Sequence, residues 1–199
     1  NGGANAELNI RLTTRRALKP APLVTVHFLN ELYEIFSNNA SGVASQSVFE
    51  TAQEYFSPDD LVMFQESYEL PIQECLAPYG YSTNSCDIED DITNDGDGVE
   101  KDCYEGNLDV QYIMGVAQQA TTIYWYVSND NTTTDPFVAW LVDVADTADP
   151  PLVNSMSWGA IEQTIDTATM DSFNTEAMKL ALMGVTVVVS SSDNGVAAE

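Results

Sequence analysis

A single histidine and only six lysine or arginine residues stand against 31 aspartates and glutamates in this chain of 199 residues. Because His27 is far in sequence from the candidate acids, a Ser-His-Asp triad within the chain has little support. His27 reads instead as a helix-surface or partly buried residue. The shortage of cations leaves a net charge of −25 and a sequence pI near 4.1, so phosphate backbones and anionic membranes are poor partners. No apolar run approaches the ~18 residues that span a bilayer. The chain opens on Asn1-Gly-Gly-Ala, with no signal-peptide pattern, and any targeting segment is expected to have been removed. There is no C-x-x-C pair and no histidine beside a cysteine, so nothing points to zinc.

Cysteine is scarce too, at three residues. In an oxidising lumen Cys75 and Cys86 would close a short loop, leaving Cys103 for a partner chain or as a free thiol; Cys86–Cys103 is the competing pair. Two N-glycosylation triplets, Asn39-Ala-Ser41 and Asn131-Thr-Thr133, fall in polar, loop-like stretches. The acid excess reads either as plain solubility or as adaptation to low pH, where many carboxyls are neutral and their repulsion falls. A secreted location or an acidic lumen such as a lysosome or vacuole suits these features.

What is present is enough apolar sequence, 44% of residues, for one core but not comfortably for two domains. Residues 1–24 read as an N-terminal arm that is polar and then basic, since Arg11, Arg15, Arg16 and Lys19 are four of the six cations. From Thr25 to Phe36 the apolar residues follow a helical period, with Thr25 as a cap. Ser47–Thr51 reads as a short strand. Ser57-Pro58-Asp59-Asp60 starts a helix to about Tyr68: a capping hydroxyl, proline in the first turn, then acids that the helix dipole favours. Pro71 to Tyr104 looks irregular. Beyond it, helices over 105–119, 136–144 and 172–183 alternate with strands over 121–127, 152–157 and 185–190. That alternation predicts an α/β fold with a doubly wound parallel sheet and right-handed crossovers. The last strand, Val185-Thr-Val-Val-Val-Ser190, is nearly continuous apolar, as expected where both sheet faces are covered.

Functional residues in such sheets collect at the carboxyl ends of strands. Ser155-Met-Ser-Trp-Gly159 and Ser191-Ser-Asp-Asn-Gly195 both fall there. Glu105 and Asp109 are four residues apart and share a helix face. Two like charges so close resist joint ionisation, so one apparent pKa rises and a proton is shared. Such a pair suits acid–base work below neutrality, although acids in a first helical turn are also explained by the dipole alone. Asp193 precedes the turn pair Asn194-Gly195. It serves either that turn or, when protonated, a developing oxyanion, a role worth roughly 3 kcal/mol of barrier.

Glu105-Gly-Asn-Leu-Asp-Val-Gln-Tyr-Ile-Met114, Val153-Asn-Ser-Met-Ser-Trp-Gly159 and Gly184-Val-Thr-Val-Val-Val-Ser-Ser-Ser-Asp-Asn-Gly-Val196 together resemble the sedolisins, the serine-carboxyl peptidases. Fainter similarity through Gln53–Leu61 extends the resemblance over roughly residues 45–196. It implies a subtilisin-like fold, incomplete without a C-terminal partner chain, so that residues 25–199 would be the N-terminal part of a peptidase domain. It also implies endo- or tripeptidyl-peptidase activity in acid. Glu105 matches the family's general base, Asp109 the carboxylate that orients it, and Asp193 the oxyanion-hole acid. Ser157, Trp158 and Gly159 match the strand that pairs with substrate, and Glu50 resembles an acid that extends the proton network toward Trp158.

The chain departs from the family in three places. Gly106 stands where alanine is usual, at a cost of about 1 kcal/mol of helix propensity. Ser192 precedes Asp193 where glycine is common. No Gly-Thr-Ser nucleophile motif occurs, so the resemblance places the nucleophilic serine, and the family's calcium site, on a C-terminal chain of the same precursor. Zymogen processing into two chains is the corresponding expectation, and no metal site is assigned to this chain. The acidic run from Asp87 to Gly98 partly matches a calcium loop, but Thr93 and Asp102 replace residues that loop requires, and a solvated loop is the simpler reading. Two other classes compete: a silent peptide-binding pseudopeptidase, and a retaining glycosidase built on the carboxylate pair. The second gives no role to Asp193 or to the Ser-x-Ser-Trp-Gly segment.

Overall fold

The computed structural model describes residues 23–40, 43–83, 86, 92–94, 100–129 and 134–193. All but the last two residues of the expected arm over 1–24, the sequon at Asn131 and most of the acidic run over 87–98 therefore lie outside the described residues.

The chain first forms helix α1 (Val26–Leu32), strand β1 (Ser45–Glu50) and helix α2 (Pro58–Ser67). A short antiparallel pair follows, β2 (Ile92–Asn94) with β3 (Glu100–Asp102), then helix α3 (Tyr104–Val116) and strand β4 (Thr121–Tyr126). Helix α4 (Pro136–Asp146), strand β5 (Val153–Met156), a 3-10 turn (Glu162–Thr164), helix α5 (Thr167–Leu182) and strand β6 (Thr186–Val189) complete it. Strands β4-β1-β5-β6 form one parallel sheet with β1 inside it. The α/β class with a parallel sheet is thus as the alternating pattern predicts.

Local chemistry explains most boundaries. Thr25 caps α1 by accepting the Phe28 N–H at 3.0 Å. The helix stops at Leu32, short of Phe36, because Glu34 adopts a left-handed φ of 54°. Only Val26 of α1 is buried, so most of its apolar residues do not serve the core. Ser57 caps α2 through the Asp60 N–H at 3.1 Å, with Pro58 in the first turn. Helix α5 starts five residues before the predicted Ser172, because Asp166 accepts the Thr169 N–H at 3.0 Å and supplies the cap. It ends ahead of Gly184, whose φ of 81° stops the helix.

Alternation along the strands sorts the core into two layers. Phe49, Trp125 and Met156 face α4 and α5, where Trp140, Leu141, Val144 and Leu180 complete one cluster. Val48, Tyr124 and Tyr126 point the other way and meet Leu61 of α2 with Val110 and Met114 of α3. Burial of each such large side chain contributes roughly 1.5–3 kcal/mol. Strand β6 departs from expectation. It is a sheet edge, and Val188 and Val189 remain 53% and 48% exposed, so the continuous apolar run does not reflect two covered faces within this chain.

The disulfide also differs. Cys86 joins Cys103, their Cα atoms 6.1 Å apart, and Cys75 is free. Cys75 is excluded by its backbone: Leu76 donates to the Thr122 carbonyl at 2.9 Å and accepts from the Tyr124 N–H at 2.8 Å. That pairing ties Cys75 to β4 and packs it on the α2/α3 cluster. Cys103, at the start of α3, is left to Cys86. A cross-link over a loop of this size stabilises by roughly 3 kcal/mol.

Candidate active site

Three strand ends and one helix turn meet at the carboxyl edge of the sheet. Glu50 closes β1 two residues beyond Val48, so its side chain takes the face that α3 covers. Glu105 and Asp109 lie on the first turns of α3. Ser157 and Trp158 follow β5, and Asp193 follows β6.

The contacts link these groups. The Ser157 hydroxyl donates to Asp109 Oδ2 at 2.7 Å, and Ser157 also interacts with Glu105. The indole N–H of Trp158 donates to Glu50 Oε2 at 2.7 Å, while its ring packs on the α4/α5 core. Glu50 is fully buried, and its other oxygen has no protein hydrogen-bond partner. Burial first, then the Asp109 charge, pushes the Glu50 carboxyl well above the usual carboxylate range; the Trp158 hydrogen bond opposes this only partly. Glu105 is also raised, by burial, then by Asp109 and more weakly by Asp193, with Ser157 pulling back. Asp109 is raised by burial against the same hydroxyl. The cluster therefore favours retention of protons in a region of concentrated negative charge.

Six of the residues named from the sequence converge here: Glu50, Glu105, Asp109, Ser157, Trp158 and Asp193. Gly159 lies beyond them, exposed and with open space around it. Asn39 lies on the surface away from the cluster, its backbone bridged to Gln118. Ser192, in the position where glycine is common in the resembling family, adopts a left-handed φ of 74°. Next to Trp158 opens a cleft of about 350 Å3, lined by Met156, Trp158, Ile165, Met170, Phe173 and Val189 among others. Ile165, Met170 and Phe173 gave no sequence signal beyond the i, i+3 spacing of the last two.

Glu54 went unread for a different reason. It lies in the irregular segment after β1, is buried, and accepts the Gly106 N–H at 2.8 Å. A Cβ on Gly106 would stand 2.3 Å from the Tyr55 carbonyl oxygen and 2.7 Å from the Tyr124 hydroxyl. Glycine here permits a close backbone approach; it does not merely weaken the helix.

Comparison with known proteins supplies the family. No profile of a known protein family matches the chain. Tripeptidyl-peptidase 1 of Dictyostelium discoideum is 37% identical over 154 residues, which cover 76% of this chain and 23% of that protein. Tripeptidyl-peptidase 1 of Homo sapiens is 26% identical over 175 residues, covering 86% and 29%. Among solved structures, Pseudomonas sedolisin, a serine-carboxyl proteinase complexed with two molecules of pseudo-iodotyrostatin, matches with a TM-score of 0.57 at 18% identity, covering 86% of this chain and 45% of that one. The chain is thus similar in sequence to tripeptidyl-peptidases and in fold to a sedolisin, as the sequence resemblance implies. It shares the subtilisin-like parallel sheet of that structure, and it spans less than a third of the curated relatives it matches. The acids gathered at the strand ends are those that the sedolisin resemblance singles out in the sequence.

Proposed function

We propose that this chain carries the acid half of a serine-carboxyl peptidase that works at low pH, its nucleophilic serine lying on a separate C-terminal chain of the same precursor. The observation that carries the reading is the convergence of Glu105, Asp109, Glu50 and Asp193 at the carboxyl ends of parallel strands, beside an open apolar cleft. Residues 25–199 would then form the N-terminal part of the peptidase domain, preceded by the arm over 1–24.

In the proposed reaction the partner's serine oxygen attacks the scissile carbonyl carbon and Glu105 takes its proton. Asp109, held by Ser157, orients Glu105. The carbonyl oxygen becomes an oxyanion, and the Asp193 carboxylic acid donates a hydrogen bond to it. Glu105 then returns the proton to the leaving amine as the C–N bond breaks, and water hydrolyses the acyl-enzyme by the same route. Glu50 and Trp158 fix the floor of the network. The extended segment through Ser157, Trp158 and Gly159 pairs with the substrate backbone, and the cleft receives an apolar side chain. The rate falls in strong acid as Glu105 is protonated.

Among the described residues no group of three or more His, Cys, Asp or Glu side chains is placed to hold a metal ion, and the family's calcium is proposed for the C-terminal chain. The Cys86–Cys103 disulfide and the acid excess support a secreted or acidic luminal location. Glycans at Asn39 and Asn131 would suit it. No helix among the described residues is long and apolar enough to cross a membrane.

Glu105→Gln in the whole protein should lower kcat by roughly 10²–10⁴-fold with folding intact, the scale of a lost general base. Near-native turnover in that variant would refute the assignment. Intact mass of the native protein tests the partner: a silent pseudopeptidase would carry no serine-bearing chain.

A further inference from the structure

Helix α3 begins without a cap of its own. Its N-cap residue is Cys103, whose sulfur is taken by the disulfide and which makes no side-chain capping bond. The early N–H groups of a helix need acceptors, and a carboxylate there also meets the positive end of the dipole. At α3 that acceptor comes from another part of the chain: Glu54 Oε1 receives the Gly106 N–H at 2.8 Å in a buried setting.

The segment that delivers Glu54 is strained and pinned. Ala52 and Gln53 are consecutive non-glycine residues with left-handed φ of 54° and 66°, a conformation that persists only where the surroundings impose it. Two tyrosines of β4 do so. Tyr126 accepts the Gln53 N–H at 2.9 Å, and Tyr124 donates to the Glu54 carbonyl at 2.9 Å. The Tyr55 carbonyl then lies so close to Gly106 that no Cβ fits. The strand that ends in Glu50 is thereby locked to the helix turn that carries Glu105, through a link only four residues long.

We propose that Glu54 is a positioning residue for the peptidase reaction: its carboxylate caps α3 from outside the helix and sets where Glu105 and Asp109 sit relative to Glu50 and Trp158. This rests on the acid-dyad reading above. A misplacement of a reacting group by about 1 Å is enough to cost on the order of 10²-fold in rate, so losing the clamp should appear in kcat and leave KM alone.

The test uses the full-length protein, assayed well below the Tm of each variant. Glu54→Ala should lower kcat by at least roughly 10-fold with KM within about two-fold, and should speed hydrogen exchange at the Gly106 amide. Glu54→Gln keeps an oxygen acceptor at the same reach and should restore kcat to within about three-fold of wild type with the same pH profile. Where Glu54→Ala fails to fold, Glu54→Asp, one methylene short, should give an intermediate loss in kcat. The proposal is overturned if Ala (or Asp) turns over like wild type, if the loss is in KM, or if Gln is as damaging as Ala. Glu105→Gln separates the two claims. If it stays active, the dyad reading is wrong. If it is inactive while the Glu54 variants behave as wild type, only the clamp is wrong.

Discussion

Glu50 shows what burial does to one carboxyl. It sits at the end of the central strand, fully buried, bonded through one oxygen to Trp158 and facing Asp109. Its folded-state pKa is raised, so the folded chain keeps a proton over a range where the unfolded chain has lost it. Stability from this group is therefore complete below the ordinary carboxylate range and is lost as pH climbs through the raised value. Glu50→Gln, which still offers Trp158 an oxygen, should flatten that decline. Its Tm should gain on wild type between pH 4 and pH 7, and parallel Tm curves would contradict the account. Cys75 gives a second test. Burial pushes its thiol up to about 12, so at pH 8 its thiolate fraction is on the order of 10³-fold below that of an ordinary thiol. Alkylation of the native protein at pH 8 should be at least about 100-fold slower than after unfolding. A peptide map of the unreduced protein should show Cys86 joined to Cys103.

Helix α3 is where element-level reasoning succeeded and then ran short. The i, i+4 spacing of Glu105 and Asp109 put both acids on one face, and the structure turns that face toward Glu50 and Ser157. Propensity alone makes Gly106→Ala a gain of about 1 kcal/mol. The structure reverses the sign, because the new Cβ would meet a backbone carbonyl at 2.3 Å and overpacking costs about 1–3 kcal/mol. Set against the propensity gain, a net loss of up to about 2 kcal/mol should appear in urea denaturation. Parallel strands and capped helices were legible because Ser57-Pro58 and the apolar runs are local signals. The β2–β3 pair, the Asp166 start of α5 and the Glu54 cap were not. The first lies in a run of acids with no apolar alternation, the second in a polar helix turn, and the third depends on two segments 52 residues apart. The exposed valines of β6 were not legible either, because an apolar run marks a strand without showing how much of it its neighbours cover.

At the scale of the whole molecule, 31 acids against six fixed cations should make the protein strain against itself near neutrality. Two effects then share the same sign. Buried carboxyls such as Glu50 resist ionisation, and surface carboxylates repel one another across the fold. Salt separates them, because the Debye length shrinks from about 30 Å at 0.01 M to about 8 Å at 0.15 M. Screening acts on exposed charges and barely on a carboxyl sealed behind Trp158. Raising sodium chloride from 0.01 to roughly 0.3 M should therefore raise the Tm at pH 7 by several degrees and raise it less at pH 4, close to the ordinary carboxylate pKa values, where the net charge is smaller. The decline from pH 4 to pH 7 that survives in high salt should be smaller in Glu50→Gln. A Tm at pH 7 that ignores salt would mean that the acids are locally compensated, and the repulsion argument would fail while the burial argument for Glu50 stood.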